Sequence, residues 1–265
     1  MLGLTQLLAG LFILMPRKNW LEMLSSVVLL KLILSTLCIA AAGYLINDYY
    51  DVKIDYINKP DRVVIGRELG RRQVILTHTI LSSIGILLGF SISWVAGLSC
   101  IITTFLLWLY SNNLKRMPLV GNLVVAALVW FSLYYITFPF SVNNKLIIAF
   151  AGFAGLTTLI REIIKDMEDI KGDEAFGCKT LPIVLGIAYT KLVLLPLNIL
   201  LLLVLFFMSQ EVPAKGLQSV FYCLILLVLV GAWQAFRADT QKHFSWLSAF
   251  WKVIMAVGIL SMILF

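Results

Sequence analysis

Charged side chains are scarce in this sequence. Asp, Glu, Lys and Arg make up 13% of its 265 residues, whereas hydrophobic residues make up 61%. Soluble domains average about 25% charged and about 45–50% apolar residues. So little polar side-chain surface cannot cover a water-soluble globule, and the mean hydropathy of +0.96 agrees. The composition therefore excludes an ordinary soluble domain and predicts an integral membrane protein.

The sequence also lacks the residue spacing of a zinc site and the basic segment of a secretory leader. Its four cysteines and two histidines are scattered and show no metal-ligand spacing. Cys38, Cys100 and Cys223 lie inside apolar runs, so we interpret them as packing residues. Met1 opens directly into apolar sequence without a basic segment, so no cleavable signal peptide is predicted.

What the chain has instead is a series of long apolar runs. Each is compatible with a membrane-spanning helix of roughly 20 residues, and none shows the apolar–polar alternation of barrel strands. The stretch 73–110 is too long for one crossing, so we predict a turn at Gly97-Leu98-Ser99. The predicted fold is all-α, a single domain over residues 1–265 with about nine spanning helices. The runs are 2–15, 24–47, 73–95, 98–110, 118–138, 146–165, 182–208, 216–236 and 245–265.

Lys and Arg residues are distributed unequally between the two sets of connections. With nine spans, the connections after the even-numbered runs share one side and hold thirteen of these cations, against four on the other side. The positive-inside rule places the richer side in the cytoplasm. We expect the membrane to be the cell membrane. Topology thus explains much of the net charge of +7, and nucleic acid is not a predicted partner. The thirteen are Lys53, Lys59, Arg62, Arg67, Arg71, Arg72, Lys115, Arg116, Lys165, Lys171, Lys179, Arg237 and Lys242; the four are Arg17, Lys18, Lys145 and Lys215.

Two acidic segments at the predicted cytoplasmic ends of spanning helices resemble each other. In a helix, residues three and four apart share a face. One ladder therefore contains Asn47, Asp51 and Asp55 with Asp48 beside it, and a second contains Asp166, Asp169 and Asp173. Like charges at this spacing repel, and a hard cation removes that penalty. Since Mg²⁺ is commonly held by one or two carboxylates plus substrate phosphates, two facing ladders suit a diphosphate bridged by Mg²⁺.

These segments also resemble a known family. Residues 47–55 resemble the N-D-x-x-D-x-x-x-D signature of the UbiA superfamily of intramembrane prenyltransferases, and residues 165–173 resemble its K-D-x-x-D-x-x-G-D signature. Residues 110–116, followed by Gly121-Asn122, resemble the third cytoplasmic element of this family. The resemblance covers essentially the whole chain. It implies a bundle around a central cavity that opens to the cytoplasm, Mg²⁺ dependence, and prenyl transfer from a prenyl diphosphate.

The flanks of both motifs suggest a branch of the family. Residues 57–62 and 161–166 are most similar to the branch that acts on geranylgeranylglyceryl phosphate in ether-lipid synthesis, the digeranylgeranylglyceryl phosphate synthases. The sequence departs from the family where Val63, in place of proline, follows Arg62. Family members also usually have a basic segment before the first helix, whereas this chain starts inside that helix, so we expect either a misassigned start site or a missing N-terminal piece.

The resemblance implies roles for individual residues. The expected Mg²⁺ ligands are Asn47, Asp51, Asp169 and Asp173, followed by Asp48, Asp55 and Asp166, with Asp51 and Asp169 central to catalysis. The expected diphosphate contacts are Lys53, Arg62, Lys115 and Lys165. Lys115 is preferred because the resemblance places its loop over the site. An allylic cation needs a dry wall that aromatic faces can stabilise. The candidates are Trp108, Tyr110, Trp130, Tyr134, Tyr135 and Phe138.

Alternative functions remain open at this point. Acids in a bundle can mark a cation-coupled transporter, although transport sites lie near the bilayer midplane and these acids lie at one rim. Among prenyl acceptors, an amphiphilic glyceryl phosphate lipid is the first choice. An aromatic acid of the 4-hydroxybenzoate or naphthoate type is the second, and haem or chlorophyll precursors are the third.

The asymmetry of Lys and Arg makes a prediction about sidedness. A cysteine at position 59 or 171 should be protected from an impermeant thiol reagent in intact cells and should react after permeabilisation. A cysteine at position 145, in a connection on the opposite side, is the control and should react without permeabilisation. Labelling of position 171 in intact cells would reverse the predicted orientation.

Overall fold

The computed structural model describes residues 1–14, 20–58, 60–140, 145–211 and 215–265. Its α-helices are numbered in chain order, and the first continues as a π-helical turn over Gly10–Leu14. Short 3-10 turns cover Pro60–Arg62, Leu114–Arg116 and Ser261–Leu264. The helices are α1 Leu2–Ala9, α2 Trp20–Leu24, α3 Val27–Asn58, α4 Arg71–Phe90, α5 Trp94–Asn112, α6 Val120–Tyr134, α7 Thr137–Phe140, α8 Lys145–Ala175, α9 Leu181–Gln210, α10 Lys215–Arg237 and α11 Gln241–Leu260.

Nine apolar helical segments correspond to the nine predicted runs. Within the described residues, eight are long and apolar enough to cross a membrane, and Leu2–Leu14 is a shorter apolar segment. The two segments that carry acidic motifs differ from the prediction in length. Helix α3 continues past Asn47 to Asn58, and α8 continues past Lys165 to Ala175. Both acidic ladders are therefore helical, as their spacing predicted.

The turn predicted at Gly97-Leu98-Ser99 is wrong. The chain reverses four to six residues earlier, between Phe90 and Trp94, where the hydroxyl of Ser93 accepts a 3.1 Å hydrogen bond from the Ala96 amide. A serine at this position satisfies an otherwise unpaired amide of the first helical turn. Gly97 lies inside α5, where a Cβ atom would be 2.3 Å from Cδ1 of Phe90. Gly97 therefore permits close packing of α4 against α5 and does not form a turn.

Helix α8 is the central helix of the bundle. In its most apolar window 72% of the residues are buried, against at most 44% in any other spanning helix. Helices α3, α6, α9 and α11 all pack against it. The second acidic motif forms the last turns of this helix. The motif therefore lies at the middle of one end of the bundle.

Buried polar side chains bind neighbouring helices together in the apolar part of the bundle. The Ser35 hydroxyl of α3 donates a 2.7 Å hydrogen bond to the Gly85 carbonyl of α4. The Gln6 amide donates to the Thr36 hydroxyl at 2.9 Å and to the Ser132 carbonyl at 2.7 Å, which joins α1 to α3 and α6. Such bonds strengthen helix association where water is excluded.

The close approach at Gly97 predicts opposite outcomes for the same substitution at two glycines. Gly97→Ala should destabilise the protein by about 1–3 kcal/mol, because Phe90 must move. Gly152→Ala is the matched control, since a Cβ there meets nothing within 4 Å. It should be neutral or stabilising by up to about 1 kcal/mol, because alanine favours the helix. Thermal unfolding in detergent measures both; equal midpoints would contradict this account of α4–α5 packing.

Candidate active site

A cavity of about 350 Å³ opens where α3, α5 and α8 extend beyond the apolar part of the bundle. Its wall contains ten of the residues that the sequence predicted for the site. They come from three separate parts of the chain, so folding brings the predicted motifs together. These residues are Asn47, Asp48, Asp51, Asp55, Tyr110, Lys115, Lys165, Asp166, Asp169 and Asp173.

Several predicted residues do not lie in this wall. Lys53 is exposed on another face of α3 and is not part of the cavity. Arg62 ends the short turn Pro60–Arg62, but its side chain lies outside the described part of the structure. Lys59 lies outside the described residues altogether. Among the described residues, the lysines that line the cavity are Lys115 and Lys165.

The aromatic wall is also smaller than expected. Of the six aromatic residues considered, Tyr110 alone lines the cavity in the described chain. Trp130 stacks on Tyr134 at a centroid distance of 5.0 Å, and Phe138 packs edge-on against Tyr134 and Tyr135. These rings form a packing cluster between α6 and α7, away from the acidic residues.

The first ladder is joined internally by an amide–carboxylate hydrogen bond. The Nδ2 atom of Asn47 donates to Oδ2 of Asp51 at 2.9 Å, one helical turn away. This bond leaves the Oδ1 atom of Asn47 buried and without a hydrogen-bond partner among the described residues. Buried polar atoms in native structures are normally paired, so this oxygen is available to a ligand.

Lys115 reaches the same carboxylate from another element. Its ammonium group contacts Oδ1 of Asp51, and both side chains are largely buried. The Lys115 turn rests directly on α6, where a Cβ at Gly121 would lie only 2.8 Å from the Lys115 Cα. Gly121 thus allows the turn to approach the cavity closely enough for Lys115 to reach Asp51.

The second ladder is supported by residues that the sequence analysis had not assigned to the site. The Nδ2 atom of buried Asn122 donates to Oδ2 of Asp166 at 2.9 Å. Glu162 also lines the cavity and contacts Arg161, with its other oxygen 3.9 Å from the Lys165 ammonium. Its position four residues before Asp166, on the same helical face, was the signal that could have identified it.

The loop that follows α8 closes one side of the cavity. Cys178 and Thr180 both line the wall and are buried, and the Thr180 hydroxyl has no partner in the described chain. The Cys178 amide donates to the Asp173 carbonyl at 2.9 Å. Burial raises the pKa of the Cys178 thiol, and the Asp173 carboxylate raises it further, so this thiol stays protonated at neutral pH.

The two motifs meet at Asn58, the last residue of α3. Its Nδ2 atom donates to the Asp169 carbonyl at 3.1 Å, and its Oδ1 atom accepts from the Gly172 amide at 2.9 Å. Both bonds cross from α3 to α8. They hold the ends of the two helices side by side at the cavity mouth.

The donor set fits magnesium ions that share their coordination with a phosphate ligand. Seven carboxylates and two lysines line the cavity, which leaves a strong excess of negative charge. In the described chain, no three His, Cys, Asp or Glu side chains converge closely enough to hold an ion by themselves. Mg²⁺ usually keeps several waters and takes one or two carboxylates plus substrate phosphates. Carboxylates from two helices and the unpaired Asn47 oxygen are suited to that role.

Comparisons with known proteins agree with this geometry. The sequence matches the UbiA prenyltransferase family over residues 4–258. It is 33% identical over 245 residues to the digeranylgeranylglyceryl phosphate synthase of Methanosphaera stadtmanae, covering 87% of this chain and 86% of that protein. It is also 33% identical to the enzyme of the same name from Sulfurisphaera tokodaii, covering 77% of each.

Two solved structures share the fold. A digeranylgeranylglyceryl phosphate synthase superposes with a TM-score of 0.72 at 21% identity, over 99% of this chain and 91% of that one. A UbiA homolog from Archaeoglobus fulgidus bound to GPP and Mg²⁺ superposes with a TM-score of 0.70 at 14% identity, over 98% and 95%.

The bond between Asn122 and Asp166 predicts a loss of function that a neighbouring asparagine should not show. Asn122→Ala removes a buried donor to a carboxylate in the cavity wall, and we expect transfer to fall about 10-fold to 100-fold. Asn113→Ala is the control, since that side chain is exposed and makes no capping hydrogen bond in the described chain. Initial rates on purified variants test this, and equal rates would show that Asn122 serves only packing.

Proposed function

The chain belongs to the UbiA prenyltransferase family, and we propose that it transfers a geranylgeranyl group from its diphosphate to geranylgeranylglyceryl phosphate with Mg²⁺. The family establishes an integral membrane prenyltransferase. The relatives named for digeranylgeranylglyceryl phosphate synthesis, matched over most of their length, support this acceptor and prenyl chain. The A. fulgidus homolog bound to GPP and Mg²⁺ supports a metal–diphosphate donor.

One observation carries the proposal: two helical carboxylate ladders face a single cavity together with Lys115. A diphosphate alone would be repelled by seven carboxylates. A diphosphate with divalent cations would be attracted, because the cations neutralise both the phosphate and the wall. The charge distribution thus favours a metal-bound diphosphate over a free anion.

The cavity residues have different proposed roles in the reaction. Asn47, Asp51, Asp169 and Asp173 are the proposed principal metal-holding residues, with Asp48, Asp55 and Asp166 beside them. When bound, Mg²⁺ supplies positive charge that stabilises the departing diphosphate. The proposed diphosphate contacts within the wall are Lys115 and Lys165, whose ammonium groups stabilise the same developing charge. Tyr110 contributes an aromatic face close to the reacting carbon.

An apolar segment over the cavity keeps water from the reaction. Val63, Val64 and Ile65 line its outer wall, and Val63 and Ile65 pack with Val52 of α3 and Val74 of α4 in a small separate core. Water that entered would capture an allylic cation in place of the acceptor. The segment that joins α3 to α4 therefore acts as a hydrophobic cover.

We propose that this end of the bundle faces the cytoplasm, in the cell membrane. The excess of Lys and Arg in the connections on this side supports that orientation. A diphosphate head can then enter from the cytosol, while its prenyl tail and an amphiphilic acceptor approach through the bilayer.

A single assay tests donor, metal and acceptor together. Membranes containing the protein are incubated with labelled geranylgeranyl diphosphate and either geranylgeranylglyceryl phosphate or 4-hydroxybenzoate, in Mg²⁺ or EDTA. We expect a labelled ether lipid with the glyceryl phosphate and Mg²⁺, and no product in EDTA. Prenylation of 4-hydroxybenzoate alone would refute the acceptor but not the class, and full turnover in EDTA would refute the metal role.

The same assay compares three acidic residues. Asp51→Ala and Asp169→Ala should each reduce transfer by at least about 100-fold, because each removes a proposed metal-holding carboxylate from the cavity wall. Glu174→Ala is the matched control, since Glu174 is exposed on α8 outside the cavity and should retain activity. Near-normal rates for Asp51→Ala or Asp169→Ala would mean that the ladders are ordinary surface charge.

A further inference from the structure

The side chain of Asn58 uses both ends of its amide to hold the second motif. The amide nitrogen donates to the Asp169 carbonyl, and the amide oxygen accepts from the Gly172 backbone. Asn58 lines the cavity, yet its own polar atoms are engaged by backbone. It is therefore suited to placing other groups rather than to binding a ligand directly.

Gly172 is the residue that admits this contact. A Cβ atom at position 172 would lie 2.4 Å from Nδ2, 2.5 Å from Cγ and 2.6 Å from Oδ1 of Asn58. These distances are far shorter than van der Waals contact, and the amide cannot retreat without breaking both hydrogen bonds. Glycine within a helix is less favourable than alanine. Glycine at position 172 thus lowers the stability of the helix but permits close contact with Asn58.

The location of the contact links it to the proposed metal-holding residues. Asn58 follows Asp55 by three residues at the end of α3, and Gly172 directly precedes Asp173 on α8. Like-charged helix ends repel, so something must hold them at a fixed separation. A neutral amide can do so without neutralising the carboxylates, whereas a lysine or arginine would compete with a cation for them.

We propose that Asn58 is a positioning residue that fixes the separation of the two acidic ladders, with Gly172 providing the space for its amide. The inference rests on the proposed function, because it gives the ladders the task of holding Mg²⁺ and diphosphate. It assigns two residues outside the expected ligand set to the geometry of that site.

A four-member cycle tests the proposal: wild type, Asn58→Ala, Gly172→Ala and the double variant. Three quantities are measured on each: the thermal midpoint, its increase with Mg²⁺ and inorganic pyrophosphate, and the Mg²⁺ concentration for half-maximal transfer. We expect Asn58→Ala to raise that Mg²⁺ concentration about 10-fold. Gly172→Ala should raise it further, about 10-fold to 100-fold.

The double variant decides between positioning and a general effect. Removing the Asn58 amide removes the three atoms nearest to the new methyl group at position 172, so the double variant should behave like Asn58→Ala. Such strong non-additivity is expected only for residues in contact. Recovery of folding in the double variant, should Gly172→Ala fail to fold, supports the proposal equally.

Three results would overturn it. Additive losses in the cycle would show that the residues act separately. A lower thermal midpoint for Asn58→Ala with an unchanged Mg²⁺ response would make the Asn58 hydrogen bonds purely structural. Misfolding of both Gly172→Ala and the double variant would rule out a collision between position 172 and Asn58. If the wild type transfers no prenyl group, the proposed function fails, and the midpoint increase with Mg²⁺ and pyrophosphate still decides the role of Asn58.

Discussion

Electrostatic repulsion among seven carboxylates in one cavity wall is the constraint on which the other features of this end of the bundle depend. Helices α3 and α8 continue for about three turns past the predicted apolar runs, which holds their acids at helical spacing rather than letting them separate in loops. Asn47 and Lys115 both contact the carboxylate of Asp51, and Asn122 donates to that of Asp166. Each of these contacts offsets part of the repulsion within the wall.

The features that depend on local pattern could be predicted from sequence. Within the described residues, the apolar runs identified the eight candidate membrane spans and the shorter apolar segment Leu2–Leu14, and three- and four-residue spacing identified the two faces that share the cavity. The turn at Gly97 was misplaced because glycine has two uses: it favours turns, and it also permits close helix packing, which depends on the distant Phe90. Asn122 and Asn58 were not assigned to the site because their partners, Asp166 and Gly172, lie far along the chain.

Amide side chains, more than charged ones, organise the region between the two motifs. An asparagine donates and accepts at once, so it can bridge a carboxylate and a backbone or two backbone groups without adding charge. Asn58 joins two helices in this way, and Asn122 joins α6 to the second ladder. The cavity wall is rich in negative charge. Hydrogen bonds from neutral amides leave this charge, and its attraction for cations, unchanged, whereas ion pairs with lysine or arginine would reduce it.

Under the proposed function, the contact between Lys115 and Asp51 couples metal binding to diphosphate binding. An ammonium group that turns towards a phosphate oxygen gives up part of its contact with Asp51. A cation that takes over Asp51 therefore releases Lys115 for the phosphate, and a phosphate that draws Lys115 away exposes Asp51 to the cation. By thermodynamic linkage, each ligand increases the affinity for the other by the same factor. Without a ligand, Lys115 remains the charge partner of Asp51 in a wall that is negative overall.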